Sequence, residues 1–193
     1  EEESELIEPY REGIATKNSL HDLYVRFFRI AERQIAERSG EGLICYISNF
    51  SYLHEPGFAS MRSHLRSNFD HIYIDNLNGD SRETGKRTPN GEPDLSVFST
   101  KSNRAGIQTG TAIGTYVRRA RPEHQECEPA RVYSREFWGR DKRQSLVSAT
   151  LGPSTFSGYE EINIREFGKG SFRPVAIAKD YEHWTSIKDL AHY

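Results

Sequence analysis

LHDLYVRFFRIAERQIAERSGEGLICYI, residues 20 to 47, decides the fold. Apolar side chains at Leu23, Tyr24, Phe27, Phe28, Ile30, Ala31 and Ile35 recur at steps of three and four, so the spacing predicts an amphipathic helix from Leu20 to Arg38. Asn18 or Ser19 suits its N-cap, where a short polar side chain accepts from an orphan backbone N–H, and Gly40 with Gly42 supplies the stop. The expected packing side is Leu23, Tyr24, Phe27 and Ile30, which leaves Arg26, Arg29, Glu32 and Arg33 in water. Directly after glycine, Leu43-Ile44-Cys45-Tyr46-Ile47 is a continuous apolar run, the pattern of a buried parallel strand. A helix feeding such a strand is one unit of an α/β layer.

Working outward, Phe58, Met61, Leu65 and Phe69 share one helical face after the Pro56-Gly57 break, and His71-Ile72-Tyr73-Ile74-Asp75 follows as a second strand. From Asn76 to Gly110 the chain is rich in Gly, Pro, Asn, Asp, Ser and Thr and contains Thr88-Pro89-Asn90-Gly91, a turn signal. An excursion this long is either an active-site wall or slack chain. Strand character returns over Thr111 to Val117, ending at Arg118 and Arg119. Residues 120 to 129 are polar with two prolines and mark a boundary. Beyond them Arg131 to Tyr133 reads as a short strand, Arg140 to Leu151 as a helix, and Phe156 to Ile164 as a mixed segment.

The bulk numbers exclude more than they suggest. The 193 residues carry a formal net charge of -2, which gives no support to nucleic-acid binding, although basic residues recur locally at Arg82, Lys86, Arg87, Lys101 and Arg104. No apolar run approaches the roughly 18 residues of a membrane span, and the acidic N-terminus lacks the pattern of a secretion signal, so a cytoplasmic location is expected. Cys45 and Cys127 have no CxxC neighbour and the 7 histidines are scattered, so neither a disulfide framework nor a metal site is expected. Cys45, inside its apolar run, suits a buried free thiol.

Generic catalytic constellations are absent: there is no GxSxG, P-loop, HExxH or GxGxxG. The glycines of Gly110-Thr111-Ala112-Ile113-Gly114 lie inside a strand-like run, where close packing accounts for them better than phosphate binding. His21 with Asp22, and Asp75 with Asp80, are acid-base candidates by residue type alone. A first-turn acid at a helix N-terminus, favourable against the helix dipole, is the better account of the first pair.

The consecutive pieces Leu20 to Ala31, Gly42 to Leu53, Met61 to Leu65 and Phe69 to Arg82, continuing through Ser96-Val97-Phe98 and Gly106 to Ile113, resemble one family. It is the N6-adenine DNA methyltransferases of single-chain restriction-modification enzymes, of the Type ISP and Type IIG-like kinds. The resemblance covers Asn18 to Arg119 and persists more weakly in Glu136-Phe137-Trp138-Gly139 and Phe172-Arg173-Pro174. It implies an α/β fold: the C-terminal half of a Rossmann-like class I methyltransferase sheet over residues 1–119, with 120–193 connecting to and starting a target-recognition region. Strands 43–47 and 71–75 would lie parallel, with 111–117 antiparallel between them.

The family uses S-adenosylmethionine to methylate a flipped adenine in double-stranded DNA, and holds the amine with an Asn-Pro-Pro-Tyr or Asn-Pro-Pro-Phe motif. This sequence has no Pro-Pro pair and no glycine-rich cofactor loop. The resemblance therefore implies a piece that follows the catalytic motif, has no catalytic residue of its own, is inactive in isolation and needs the missing N-terminal half as partner. It assigns Leu23 and Phe27 to the adenine of the cofactor and Lys86, Arg87, Lys101 and Arg104 to DNA phosphates. Phe98 is either the aromatic that stacks on the extruded base or a loop anchor on the core. Trp138 reads as a packing residue, and Tyr181 to Leu190 as an interdomain segment. Two alternatives stand beside this reading: a non-catalytic DNA-binding or scaffolding module derived from a methyltransferase, and an RNA methyltransferase of the same architecture.

Overall fold

The computed structural model describes residues 5–12, 18–120, 128–151, 157–164 and 170–174. Five strands, β1 (Gly42–Asn49), β2 (His71–Asn76), β3 (Thr111–Arg118), β4 (Arg131–Glu136) and β5 (Glu160–Glu161), form one sheet in the order β1-β3-β2-β4-β5. β3 runs antiparallel to both β1 and β2, β4 runs parallel to β2, and β5 is antiparallel to β4. The reversed strand between two mutually parallel ones is the arrangement expected for 43–47, 111–117 and 71–75. Beyond residues 120–129, β4 and β5 extend the same sheet. Tyr181 to Leu190 lies outside the described residues.

One sheet face is packed throughout, and the other is open along β1 but holds the buried Asp75 and Arg135 on β2 and β4. The register aligns Ile44, Tyr116, Ile72 and Val132 across four strands, and all four side chains are buried. Helices α1 (Leu23–Glu32) and α2 (Ala59–Asn68) cover this face. Phe28 of α1 lies at ring-centroid distances of 5.3 Å from Tyr46, 5.1 Å from Tyr52 and 5.4 Å from Tyr116, while Met61 and Leu65 of α2 are wholly buried. A third helix, α3 (Lys142–Leu151), follows β4. Gly114 is where the layers close: a Cβ there would stand 2.7 Å from the hydroxyls of Tyr116 and Tyr52. That bears out close strand packing as the reason for this glycine.

The opposite face aligns Leu43 with Val117, Cys45 with Thr115 and Ile47 with Ile113. Leu43 and Ile47 are 59% and 49% exposed, so β1 is buried on one side only, contrary to the expectation of a fully buried strand. A continuous apolar run does not reveal how many faces are covered. Cys45, expected to be buried, is exposed for the same reason, its position in the alternation placing it on the open face.

The helix of residues 20–38 forms as three pieces. A 3-10 turn at Asn18–His21 leads into α1, and a π-helical segment at Arg33–Ser39 ends on Gly40, left-handed at φ 80°. The N-cap position belongs to Asp22, in extended conformation and without a side-chain capping bond.

The packing side differs from the expected one. Val25, Phe28, Arg29 and Glu32 are buried, whereas Leu23, Phe27 and Ile30 are 66%, 57% and 52% exposed. The reason is a polar network that periodicity treats as solvent-facing. Glu32 accepts from Tyr10 Oη at 2.7 Å, Arg29 Nη1 at 3.0 Å and Asn68 Nδ2 at 2.7 Å, and Arg29 Nη2 donates to Glu37 at 2.7 Å. Satisfied in this way, the two charged residues tolerate burial. Tyr10 belongs to a one-turn helix, Glu8–Arg11, far away in sequence.

Candidate functional site

The strand directions place the long connection 77–110 at the carboxyl end of β2, and α/β sheets bind ligands beyond that end. This connection is not slack: two buried aspartates organise it. Asp80 Oδ1 accepts from the backbone N–H groups of Arg82 at 2.6 Å and Glu83 at 2.7 Å, and Oδ2 accepts from Gly110 N at 2.9 Å. Burial pushes the Asp80 pKa up, but the N–H groups of Glu83, Gly110 and Arg82 outweigh it and hold the carboxyl below its ordinary value.

Asp94 is fully buried and joins three segments. Its Oδ2 accepts from Gly79 N at 2.7 Å, its Oδ1 accepts from Gly139 N at 2.7 Å, and Lys142 Nζ stands 2.6 Å from Oδ1. Lys142, 1% exposed, also donates to Leu77 O at 2.6 Å. Burial pulls the lysine pKa down, and Asp94 opposes that pull. Asn78 takes a left-handed φ of 49° at the exit of β2, steadied by its amide on Phe137 O at 3.3 Å. Gly110 closes the connection against the ring of Phe50, which a Cβ would approach to 2.4 Å.

On this scaffold Phe98 is 44% exposed, with its backbone N–H donating to Ser96 Oγ at 3.2 Å. A buried anchor on the core is therefore excluded, and a large apolar ring is held in view at the carboxyl edge of the sheet. The basic residues singled out from sequence separate into two kinds. Lys86 spends its ammonium on the carbonyls of Ala105 and Ile107, bracing the connection. Arg87 is exposed and donates to Gly91 O at 2.8 Å, while Lys101 and Arg104 are exposed without a side-chain hydrogen bond or ion pair among the described residues.

Leu23 and Phe27 lie on the outward side of α1, at its amino-terminal half, away from Phe98's connection in sequence and on a different element. Both offer an apolar surface of the kind a planar ring packs against. His21 and Asp22 are exposed. Asp75 is engaged structurally: it is buried, paired with Arg135 and accepts from Tyr159 Oη at 2.9 Å. Trp138 is half-buried, its indole N–H on Glu136 at 3.0 Å.

Sequence reasoning missed a second cluster at the carboxyl end of β1. His54 Nε2 lies 2.7 Å from Glu83, Arg173 Nη1 donates to Glu83 at 2.9 Å, and the Arg173 guanidinium sits 5.2 Å from the centre of the Phe50 ring. Burial lowers the His54 pKa, with Arg173 adding to the effect and Glu83 opposing it. Nearby, fully buried Arg62 donates to the carbonyls of Tyr52, Glu55 and Gly170, and burial brings its pKa down to about 10. These contacts tie 170–174 to the end of β1, and no spacing rule connects them. Among the described residues no three or more His, Cys, Asp or Glu form a group able to hold a metal, and no helix is long and apolar enough to cross a membrane.

No family model matches the sequence, and no curated protein matches it. Solved structures do match in fold. The ATP-dependent Type ISP restriction-modification enzyme LlaBIII bound to DNA is similar with a TM-score of 0.65 at 22% identity, over 87% of this chain and 10% of that one. The DrdV–DNA complex gives 0.64 at 19% identity, over 88% and 15%. A nuclease-deletion mutant of the Type ISP restriction-modification enzyme LlaGI, in complex with a DNA substrate mimic, gives 0.63 at 21%, over 86% and 15%. The chain thus spans only a small part of each of these proteins, and what they share with it is the mixed five-stranded fold with its covering helices.

Proposed function

We propose that this chain is part of a site-specific DNA methyltransferase of a restriction-modification system, one that methylates N6 of adenine in double-stranded DNA. The observation that carries the reading is the sheet order β1-β3-β2 with its reversed middle strand, followed at the carboxyl edge by a braced connection that displays Phe98. The similarity of fold to segments of three DNA-bound proteins, two of them named as Type ISP restriction-modification enzymes, supports it.

In this reading Phe98 stacks on the extruded adenine, replacing about 1 to 3 kcal/mol of lost base contact. Lys101 and Arg104, with Arg87, contact phosphates. S-adenosylmethionine supplies the methyl group, and Leu23 with Phe27, both apolar and exposed, offers a surface for the adenine ring of that cofactor. No Pro-Pro motif occurs in the 193 residues, so the groups that aim the amine come from outside them. The isolated chain is accordingly expected to transfer no methyl group, while the intact parent methylates adenine in duplex DNA.

The test is labelled-methyl incorporation into duplex DNA by the intact parent, with and without Phe98→Ala. Loss of captured flipped base by about 1 to 3 kcal/mol, with the melting temperature preserved, is the expected outcome. A parent that binds DNA but incorporates no methyl would overturn the reading in favour of a non-catalytic DNA-binding module.

A further inference from the structure

The end of the sheet opposite the connection 77–110 holds a feature that the proposed function does not use. An open-sided cavity of about 530 Å³ lies between α2 and the strands β4 and β5, lined by Arg66, Arg131, Glu161 and Asn163 and by the apolar Pro129, Val132 and Ile164 among others. Its walls are joined by backbone bonds, Ala130 N donating to Arg66 O at 2.7 Å and Ile162 N to Val132 O at 2.8 Å. The size falls within the range of small-molecule sites.

Charge is unbalanced there. Arg131 is committed to Glu161 through two bonds, of 2.8 and 2.5 Å. Arg66 has no acidic partner among the described residues, and its Nε is buried without a hydrogen-bond acceptor. Two arginines against one glutamate leave one uncompensated positive charge on the lining. The helix dipole favours a cation in the last turn of α2, where Arg66 stands, but it does not account for a buried Nε left without an acceptor. A guanidinium in such surroundings is satisfied by an oxyanion that takes its N–H fork, and phosphoryl oxygens match that geometry.

We infer that this cavity binds a phosphorylated ligand of nucleotide size, its phosphoryl oxygens on Arg66 and its less polar body against Pro129, Val132 and Ile164. Asn163 offers a neutral donor beside the anion, and the Arg131–Glu161 pair closes one side without adding net charge. The inference stands independently of the methyltransferase reading, because none of these residues belongs to the carboxyl edge.

The experiment is calorimetric titration of the whole chain at low salt with adenosine 5′-monophosphate, adenosine, succinate and a short DNA duplex. Saturable binding of the monophosphate is expected, with adenosine and succinate at least tenfold weaker. Arg66→Gln should weaken the monophosphate at least tenfold and Arg66→Lys less. On the unaltered protein the monophosphate should slow modification of Arg66 by phenylglyoxal, a readout that survives even if a variant folds poorly. Displacement of the monophosphate by the duplex would assign the phosphoryl group to a nucleic-acid backbone, and its failure to displace would assign it to a free phosphorylated molecule; both support the site. Absence of saturable binding, equal binding of succinate, or modification of Arg66 unaffected by the monophosphate overturns it.

Discussion

Asp94→Asn is the substitution that most directly tests how the connection 77–110 is held. The carboxylate is wholly buried, takes the N–H groups of Gly79 and Gly139, and faces the ammonium of Lys142, itself 1% exposed. An amide of the same shape can still accept one of these bonds but cannot neutralise the lysine, whose remaining acceptor is Leu77 O. Removing one member of a buried ion pair costs about 3 to 5 kcal/mol, chiefly because the other charge stays buried and uncompensated. At 1.36 kcal/mol per factor of ten, the local opening constant should rise by about 10² to 10⁴.

Amide hydrogen exchange reads this directly, since Gly79 and Gly139 should lose protection while Ile72 and Tyr116 in the sheet keep theirs. The double variant Asp94→Asn with Lys142→Met should recover a large part of the loss, because no buried charge is then left without its partner. Unchanged protection at both glycines in the single variant, or no recovery in the double, would refute the account of the connection as a braced element.

The remaining expectations concern the core and its protonation. Glu32→Ala, which strands Tyr10, Arg29 and Asn68, should lower stability by about 3 to 5 kcal/mol in denaturant melts, and a loss below 1 kcal/mol would show the network to be dispensable. Phe28→Ala should cost about 3 to 5 kcal/mol while Phe27→Ser stays within about 0.5 kcal/mol of the parent; equal costs would mean that the face of α1 has been misassigned. Asp80 has a folded pKa below its unfolded one, so its stabilisation is complete above the ordinary carboxyl range and is lost as pH falls through the folded value. Exchange at the Gly110 amide should therefore accelerate on acidification, and Asp80→Asn should abolish that dependence.

Much of the framework was legible because it rests on local periodicity. The runs at Leu43 to Ile47, His71 to Asp75 and Thr111 to Val117 became strands, and glycine punctuation marked the end of the helix that precedes β1. The antiparallel placement of the third run came from the resemblance, since alternation alone does not order strands. What could not be read was which face of α1 turns inward. Leu23, Phe27 and Ile30 form as good a stripe as Val25, Phe28 and Glu32. The decision came from Tyr10 and Asn68, remote residues whose hydrogen bonds make Glu32 acceptable inside. Likewise β4 reads as a short polar strand after a linker, and only its parallel ladder with β2, reinforced by the Asp75–Arg135 pair, brings it into the sheet.

The candidate site shows the same division in a form that bears on function. Phe98 was identifiable as an aromatic inside a glycine- and serine-rich connection, but nothing local distinguishes a stacking ring from a core anchor. The residues that brace the connection carrying it are Asp80, Asp94, Lys86 and Lys142, which a sequence reading treats as solvated charges. Three of them are buried, and Lys86 is turned onto carbonyls of its own connection. Their charges are consumed in fixing the backbone around the ring, and fixing it by polar bonds is what spares Phe98 from serving as the hydrophobic anchor. A connection of this length held by apolar contacts would bury its aromatics to stay ordered. Held by carboxylates and ammonium groups instead, it can leave one ring facing solvent at little cost in stability. The loss from Asp94→Asn and the stability tolerance of Phe98→Ala are therefore linked expectations. If Phe98→Ala instead destabilised the fold as strongly as Asp94→Asn, the polar bonds would not be what holds the connection, and the ring's exposure would lose its meaning as a binding surface.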